Sequence, residues 1–147
     1  MATPPPQIRA TTAATANGRI HRRTVLPLRT TRSAETTTTA PQATEAIYLL
    51  ARHAFDDLRY RRLEWKCNAL NAGSRRAAER LGFSFEGVFR QHMIIKGRNR
   101  DTAWYAITDN EWPAIRRCFE DWLAPANFDP DGRQRQSLSE LIREAQR

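Results

Sequence analysis

The side chains that could do covalent chemistry are few and scattered along this 147-residue chain. Cys67 and Cys118 stand in no metal-binding spacing, and the three histidines are isolated from one another. The adjacent carboxylates Asp56 and Asp57 are more typical of a solvated helix face than of an acid–base dyad. No Ser/His/Asp or Cys/His set and no glycine-rich phosphate loop can be assembled. Both cysteines fit small buried hydrophobes, and two such cysteines favour a reducing compartment.

One polar pair has a more informative setting. Asn71 and Ser74 are three residues apart in a polar turn, directly before a short predicted helix over residues 75–81. Either side chain can cap that helix, because amide and hydroxyl oxygens accept from the free N–H groups of a first turn. Gly82 follows at the position where helices end in a left-handed residue.

The elements before this pair are a helix and a strand. Thr44 resembles an N-cap and Glu45 a first-turn acid, and helical apolar spacing continues to about residue 59. Alternating polarity over residues 62–67 then predicts a strand. A helix that leads directly into a strand suggests half of an α/β crossover, which needs an earlier parallel strand. The residues before Thr44 offer no convincing candidate.

The elements after the pair are a hairpin and two helices. Residues 92–95 and 101–107 are predicted as antiparallel strands joined by a loop over residues 96–100. A helix over residues 110–123, capped by Thr108 or Asp109, carries Pro113 in its first turn and an aromatic stripe that we assign to the core. Ser137 and Glu140 form a capping-box pattern, which predicts a short exposed helix over about residues 137–146.

The charge is uneven along the chain. The net charge is +8, and residues 1–42 hold six Arg and one acid, Glu35, but no aromatic residue. A segment without aromatics buries too little apolar area to order itself, so we expect a disordered leader over residues 1–42. A folded domain over residues 43–128 and a polar tail over residues 129–147 would follow it. No apolar run is long enough to span a bilayer. We expect a cytoplasmic protein, with mitochondrial targeting by the leader as the alternative.

Several phrases in this order resemble the GNAT superfamily of acetyl-CoA-dependent N-acetyltransferases, and specifically its ribosomal-protein-alanine acetyltransferase branch. They cover about residues 40–128 and are Ala43-Thr-Glu-Ala46, Glu64-Trp-Lys-Cys67, Asn71-Ala-Gly-Ser74, Glu79-Arg-Leu-Gly-Phe83, Phe85-Glu-Gly87 and Lys96-Gly-Arg-Asn-Arg-Asp101. The resemblance implies an α/β fold with a mixed α+β sheet. It would be a partial GNAT-type acyl-CoA N-acyltransferase fold with its N-terminal strands missing.

The resemblance also implies acetyl transfer from acetyl-CoA, as co-substrate, to an amine by direct attack. The acceptor would be a small molecule or a protein N-terminus. Backbone amides at a helix N-terminus hold the CoA pyrophosphate in this family, which matches the physics of anion binding at such a site. The corresponding positions here are Gln42, Ala43, Thr44, Glu45 and Ala46. Asn71 and Ser74 match the region that faces the pantetheine arm.

Departures from the family pattern shape the remaining expectations. The strand ahead of the cofactor helix is missing, the pyrophosphate loop lacks its basic residue, and Ala78 stands where many members have a tyrosine general acid. No catalytic acid or base can be named. We therefore expect a truncated domain with weak or no activity that exposes the face of Leu63 and Trp65 and associates through an open sheet edge.

Two other classes stay open. One is a non-catalytic relic that binds a partner, and the other is a basic protein that binds RNA or the ribosome. Nucleic acid is not favoured, because basic and acidic residues are interspersed after residue 42. The clusters at residues 59–62 and 75–76 are the only ones apparent there.

Overall fold

The computed structural model describes residues 26–29 and 41–147. Its strands are β1 (Leu26–Arg29), β2 (Arg62–Asn68), β3 (Ser84–Ile95) and β4 (Arg98–Thr108). They form one sheet in the order β1-β2-β4-β3, in which β1 is parallel to β2 and the other pairs are antiparallel. The helices are α1 (Pro41–Arg52), α2 (Ala72–Arg80), α3 (Trp112–Leu123) and α4 (Leu138–Ala145). This arrangement confirms the expected α/β class with a mixed sheet.

Strand β1 corrects the prediction of a leader without structure. Leu26 pairs with Leu63 and Arg29 pairs with Lys66, so the crossover does have the earlier parallel strand that α1 requires. The four residues Leu-Pro-Leu-Arg are too short to display a period of two. A proline within them argues against any strand except one at a sheet edge, which is where β1 lies. The other residues of the predicted leader lie outside the described residues.

Helix α1 begins three residues before the predicted start. Pro41 occupies its first position, where proline is tolerated because that N–H would have no helical acceptor. Thr44 is therefore inside the helix and fully buried, so its predicted role as N-cap is wrong. Glu45 correspondingly lies beyond the first turn. A π-helical turn, His53–Asp57, extends the helix to near the predicted end.

Helix α2 begins at Ala72, three residues before the predicted start at residue 75, and ends at Arg80, one residue before the predicted end. Asn71 is the N-cap, and its side chain accepts from the backbone N–H of Ser74 at 2.9 Å. Gly82 has a φ of +87°, the left-handed conformation expected after the helix. A Cβ added at Gly82 would approach Ile115 Cγ2 and Ile142 Cδ1 to 3.2 Å. The glycine therefore allows both the turn and the close packing of α3 and α4 against it.

The hairpin is longer and its turn tighter than the sequence indicated. Strand β3 begins at Ser84 rather than near residue 92, and β4 begins at Arg98 rather than Asp101. Only Lys96 and Gly97 connect them, with φ values of 51° and 72°, as a two-residue turn with left-handed central residues requires. Register shifts between Phe85 and Gly87 and between Phe89 and Met93 interrupt the period of two, and this irregularity hid the full length of β3.

The C-terminal helices close the core. Glu111, rather than Thr108 or Asp109, is the residue before α3, and its carboxylate accepts from the N–H and the hydroxyl of Thr108 at 2.8 Å each. The capping box of Ser137 and Glu140 is present at the start of α4. That helix is not an exposed appendage, because Leu138 and Ile142 are buried in the core.

The core lies between the helices and one face of the sheet. Leu63 and Trp65 belong to it and are 0% and 2% exposed, so the expectation of an exposed apolar face there is wrong. Cys67 and Cys118 are buried free thiols, as expected, and burial raises the pKa of both. Of the helices in the described residues, none is long and apolar enough to cross a membrane.

Candidate functional site

The first turn of α1 contains two backbone amides that have no acceptor within the helix. The N–H groups of Gln42 and Ala43 lie in the part of a helix where no intrahelical acceptor exists. Gln42 is exposed and Ala43 is half-buried. The aligned peptide dipoles also place partial positive charge at this end. The geometry is therefore compatible with an anion at this turn.

The other three predicted pyrophosphate residues lie deeper in α1. Glu45 and Ala46 are exposed, but they lie in the second turn, where backbone N–H groups donate within the helix. The buried Thr44 hydroxyl accepts from Arg80 Nη1 at 3.1 Å. These positions differ in role from Gln42 and Ala43 because the helix starts at Pro41, three residues earlier than the sequence predicted.

Arg80 links the beginning of α1 to the end of α2. Besides its hydrogen bond to Thr44, its guanidinium carbon lies 5.4 Å from the centroid of the Trp122 ring. Burial lowers the pKa of Arg80, because a low-dielectric surrounding disfavours the cation. The side chain thus holds the candidate anion-binding turn against the core. The sequence offered no signal for this role beyond the presence of a basic residue in the last turn of α2.

Asn71 and Ser74 are brought together at the start of α2, but their side chains differ in accessibility. Asn71 is half-buried and caps the helix through its carbonyl oxygen, which leaves its amide NH₂ on the other side of the group. Ser74 is 3% exposed, and its hydroxyl accepts from the indole N–H of Trp65 at 3.1 Å. Capping by Asn71 is therefore confirmed, and Ser74 has a structural hydrogen bond in the core.

A polar chain of side chains continues from α2 to β4. Arg75 Nε donates to the Tyr105 hydroxyl at 3.0 Å, and that hydroxyl donates to Glu79 Oε1 at 3.2 Å. Burial raises the pKa of Tyr105, so the phenol stays protonated at neutral pH. Arg75 also lies over the ring of Phe85, 5.6 Å from its centroid. Tyr105 shares one face of β4 with Ala103 and Ile107, as the alternation of this strand indicates, but the alternation does not identify its partners on α2.

The opposite face of the sheet holds an ion-pair network that was not predicted from the sequence. Glu64 is 7% exposed and pairs with Arg62 Nε at 2.8 Å and with Lys66 Nζ at 3.0 Å. Arg62 also binds Glu86 through both carboxylate oxygens, which lowers the pKa of Glu86 and raises that of Arg62. Lys66 Nζ lies 3.7 Å from the centroid of the Trp104 ring. The alternation of β2 indicated a polar face, but it does not distinguish a buried carboxylate from an exposed one.

A surface pocket of about 250 Å³ lies at the far end of α1 and involves none of the predicted site residues. Asp56 lines it, and its carboxylate accepts from Trp112 Nε1 and from Arg116 Nη1, both at 2.9 Å. Asp57 instead pairs with His53 at the surface. The adjacent carboxylates therefore have separate structural partners rather than a shared catalytic geometry.

Comparison with known proteins shows which proteins this chain is similar to. Residues 40–84 match the family model of the acetyltransferase (GNAT) domain. The chain is 32% identical over 69 residues to the "Putative ribosomal N-acetyltransferase YdaF" of Bacillus subtilis, with 47% of this chain and 38% of that protein covered. It is 39% identical over 64 residues to the "Probable N-acetyltransferase YjcK" of the same organism, with 44% of this chain and 35% of that protein covered.

Solved structures agree with these sequence matches. A GCN5-related N-acetyltransferase from Brucella melitensis superimposes with a TM-score of 0.68 and 56% identity, over 70% of this chain and 47% of that one. The expected resemblance to the GNAT acetyltransferase superfamily is thereby confirmed. The chain spans less than half the length of the relatives named here.

Proposed function

We propose that the chain binds acetyl-CoA and transfers its acetyl group to an amine. The observation that carries this proposal is the first turn of α1, where the amides of Gln42 and Ala43 have no acceptor within the helix and lie in the segment that matches the family model. Two such N–H donors and the positive end of the helix suit a pyrophosphate.

The predicted contact residues divide into two groups in this proposal. Gln42, Ala43 and Asn71 contact the cofactor, the first two through backbone amides and the third through its side-chain amide on the pantetheine arm. Thr44 and Ser74 position them, because their side chains have hydrogen-bonding partners in the interior. The remaining two predicted residues, Glu45 and Ala46, border the site from the second turn.

The reaction would be direct attack within a ternary complex. The acceptor nitrogen forms a bond to the thioester carbonyl carbon, the carbon–sulfur bond breaks, and the CoA thiolate leaves and takes up a proton. The acceptor nitrogen loses one proton as the amide forms. Primary amines of small molecules and protein N-termini both fit this chemistry. Acetyl-CoA and an amine acceptor are therefore the proposed partners.

Acetyl-CoA binding is tested by titration calorimetry on the full chain, with Gln42→Glu as the diagnostic variant. A carboxylate in the first turn favours the helix dipole but repels a pyrophosphate, so the variant should bind at least about tenfold more weakly without losing stability. Gln146→Glu makes the same change at the other end of the described chain and should bind like wild type. Equal binding by all three proteins contradicts the proposed site.

Transfer is tested separately by following CoA thiol release with polyamines, amino acids and peptides with free N-termini as acceptors. Acceptor-dependent release that Gln42→Glu reduces supports the proposed activity. Tight acetyl-CoA binding without release for any acceptor supports instead the class of non-catalytic binding proteins. No binding and no release would reject both.

A further inference from the structure

Strands β3 and β4 continue past the end of β2 as a two-stranded ribbon. The last residue of β2, Asn68, pairs with Thr102, whereas β4 extends to Arg98, which pairs with Ile95. Residues 90–100 of this ribbon contain four cations and no acid, namely Arg90, Lys96, Arg98 and Arg100. The hairpin therefore concentrates positive charge at one end of the sheet.

The acids near the ribbon have other partners. The carboxylate of Asp101 accepts from the backbone N–H of Gln91 at 2.7 Å and from Asn99 Nδ2 at 2.9 Å. The network around Glu64 engages Glu86 through Arg62. Among the residues described, no carboxylate lies within 4 Å of the four ribbon cations. Arg90 still acts electrostatically on Asp101, so the charges of Lys96, Arg98 and Arg100 are the ones available to an external anion.

An aromatic cluster borders the same cations. Phe89 is 53% exposed, and its ring centroid lies 4.8 Å from that of Trp104 and 5.6 Å from that of His92. Phe89 pairs with Thr102 across the hairpin, so the alternation of β4 places Arg98, Arg100 and Trp104 on one face with Phe89. An exposed ring thus shares one face of the ribbon with two arginines.

Two donors beneath this face, Trp104 Nε1 and Arg100 Nε, have no hydrogen-bonding partner among the residues that the structure describes. Both atoms are buried, so an external ligand does not reach them. A ligand rich in anionic oxygens and in flat rings would complement the arginine cations and the exposed Phe89.

We propose that this face of the ribbon binds single-stranded nucleic acid, with phosphates on Arg98 and Arg100 and a base stacked on Phe89. Single strands offer unstacked bases, and sheet-borne aromatics beside cations are how several folds bind them. This face is distinct from the first turn of α1, so the proposal does not depend on acetyl-CoA binding. Basic and acidic residues are interspersed along the sequence after residue 42, which disfavours nucleic acid, whereas β-pairing brings the alternating cations of the ribbon together.

The test is fluorescence anisotropy of the full chain with labelled oligouridylate and oligothymidylate of about 12 nucleotides, over a range of salt concentrations. Inorganic polyphosphate and polyglutamate serve as competitors that carry charge without bases. We expect both labelled oligonucleotides to bind in a salt-dependent manner. Unlabelled oligonucleotide should compete with them at least about tenfold better than either polyanion does. A preference between the two oligonucleotides distinguishes RNA from DNA as the source of the strand. Equal competition by a polyanion overturns base stacking.

Two variants and a matched control locate the surface. Arg98→Gln combined with Arg100→Gln should weaken binding about tenfold or more and lower the salt slope by about 0.7 for each cation removed. Arg22→Gln combined with Arg23→Gln removes the same charge from the basic N-terminal segment and should have a smaller effect. If this control pair weakens binding as much as the ribbon pair does, the assigned surface is wrong.

Stacking is tested by Phe89→Leu, which keeps an apolar side chain but removes the ring. Binding should fall about fivefold to tenfold with an unchanged salt slope, and Phe89→Tyr should restore it. Thermal midpoints by circular dichroism check that each variant is folded. Unaltered binding by folded Phe89→Leu contradicts the proposal.

Discussion

Two tryptophans on neighbouring central strands have opposite surroundings. Trp65 on β2 is 2% exposed, its indole donates to the Ser74 hydroxyl at 3.1 Å, and its ring packs on Phe83. Trp104 on β4 is half-buried, its indole has no acceptor among the described residues, and Lys66 lies over its ring. The first faces the helices and the second faces away from them.

The difference shows how one sheet separates two tasks. On the helix side, the Trp65 indole and the Tyr105 hydroxyl form hydrogen bonds with side chains of α2, which fixes this helix and with it Asn71. On the other side, Arg62 and Lys66 of β2 form ion pairs with Glu64 and Glu86. The cations of the ribbon have no carboxylate within 4 Å among the described residues. We therefore associate the helix side with positioning of the cofactor and the opposite side with contacts to other molecules.

The largest expected effect is a difference between the two tryptophans in how much each contributes to the free energy of unfolding. Trp65→Ala removes a fully packed ring from the core and should lower the free energy of unfolding by about 3–5 kcal/mol. Trp104→Ala should cost about 1–2 kcal/mol, because its ring is only half-buried and its main neighbours are Lys66 and Phe89. Urea unfolding measures both. Equal losses would mean that the two faces are packed alike.

A smaller effect separates Ser74 from Asn71. Ser74→Ala leaves the buried Trp65 indole without its acceptor and should cost about 1–3 kcal/mol. Asn71→Asp keeps a side-chain oxygen at the N-cap, so stability should change by less than about 0.5 kcal/mol. The aspartate nevertheless lacks the amide donor that we propose contacts the pantetheine arm. Acetyl-CoA should therefore bind more weakly to Asn71→Asp than to wild type.

The same pair of variants has a clear contradictory outcome. Calorimetric titration of acetyl-CoA and chemical unfolding are measured on the same preparations. If Asn71→Asp binds acetyl-CoA like wild type, Asn71 only caps α2 and its proposed contact with pantetheine is wrong. Asn71→Ala, which should lose about 1 kcal/mol of stability, confirms that the cap is present in solution.

Most of the fold could be predicted because local signals and tertiary packing agree. The period of two in β2, the cap at Asn71, Gly82 and the capping box of α4 all depend on residues close in sequence. Strand β1 could not be predicted, because its pairing with β2 is set by contacts between distant residues. The lengths of β3 and β4 were missed for a related reason, since bulges break the alternation that a sequence displays.

The candidate site was predictable in composition but not in accessibility. The resemblance identified Thr44 and Ser74 as neighbours of the cofactor. In the structure, however, Thr44 accepts from Arg80, which lies 36 residues further along the chain, and Ser74 accepts from Trp65 on β2. Glu64 pairs with Arg62 and Lys66 on its own strand, but its burial became apparent only when β2 was placed between β1 and β4. Hydroxyl groups in a motif can therefore act as internal acceptors, which no spacing rule distinguishes from ligand contacts.

The smallest expected effect is a pH dependence on the outer face. Arg62 holds the pKa of Glu86 below its ordinary value of about 4.3, so ionised Glu86 contributes stability at neutral pH. That contribution is present above the ordinary pKa and is lost as pH falls through the lowered folded-state pKa. Glu86→Gln should therefore lose less stability than wild type on acidification below about pH 5. Glu45→Gln, at an exposed position on α1, is the control and should follow wild type. Parallel urea-unfolding curves for Glu86→Gln and wild type across this pH range would show that solvent screens the pair with Arg62 and that this pair contributes no stability.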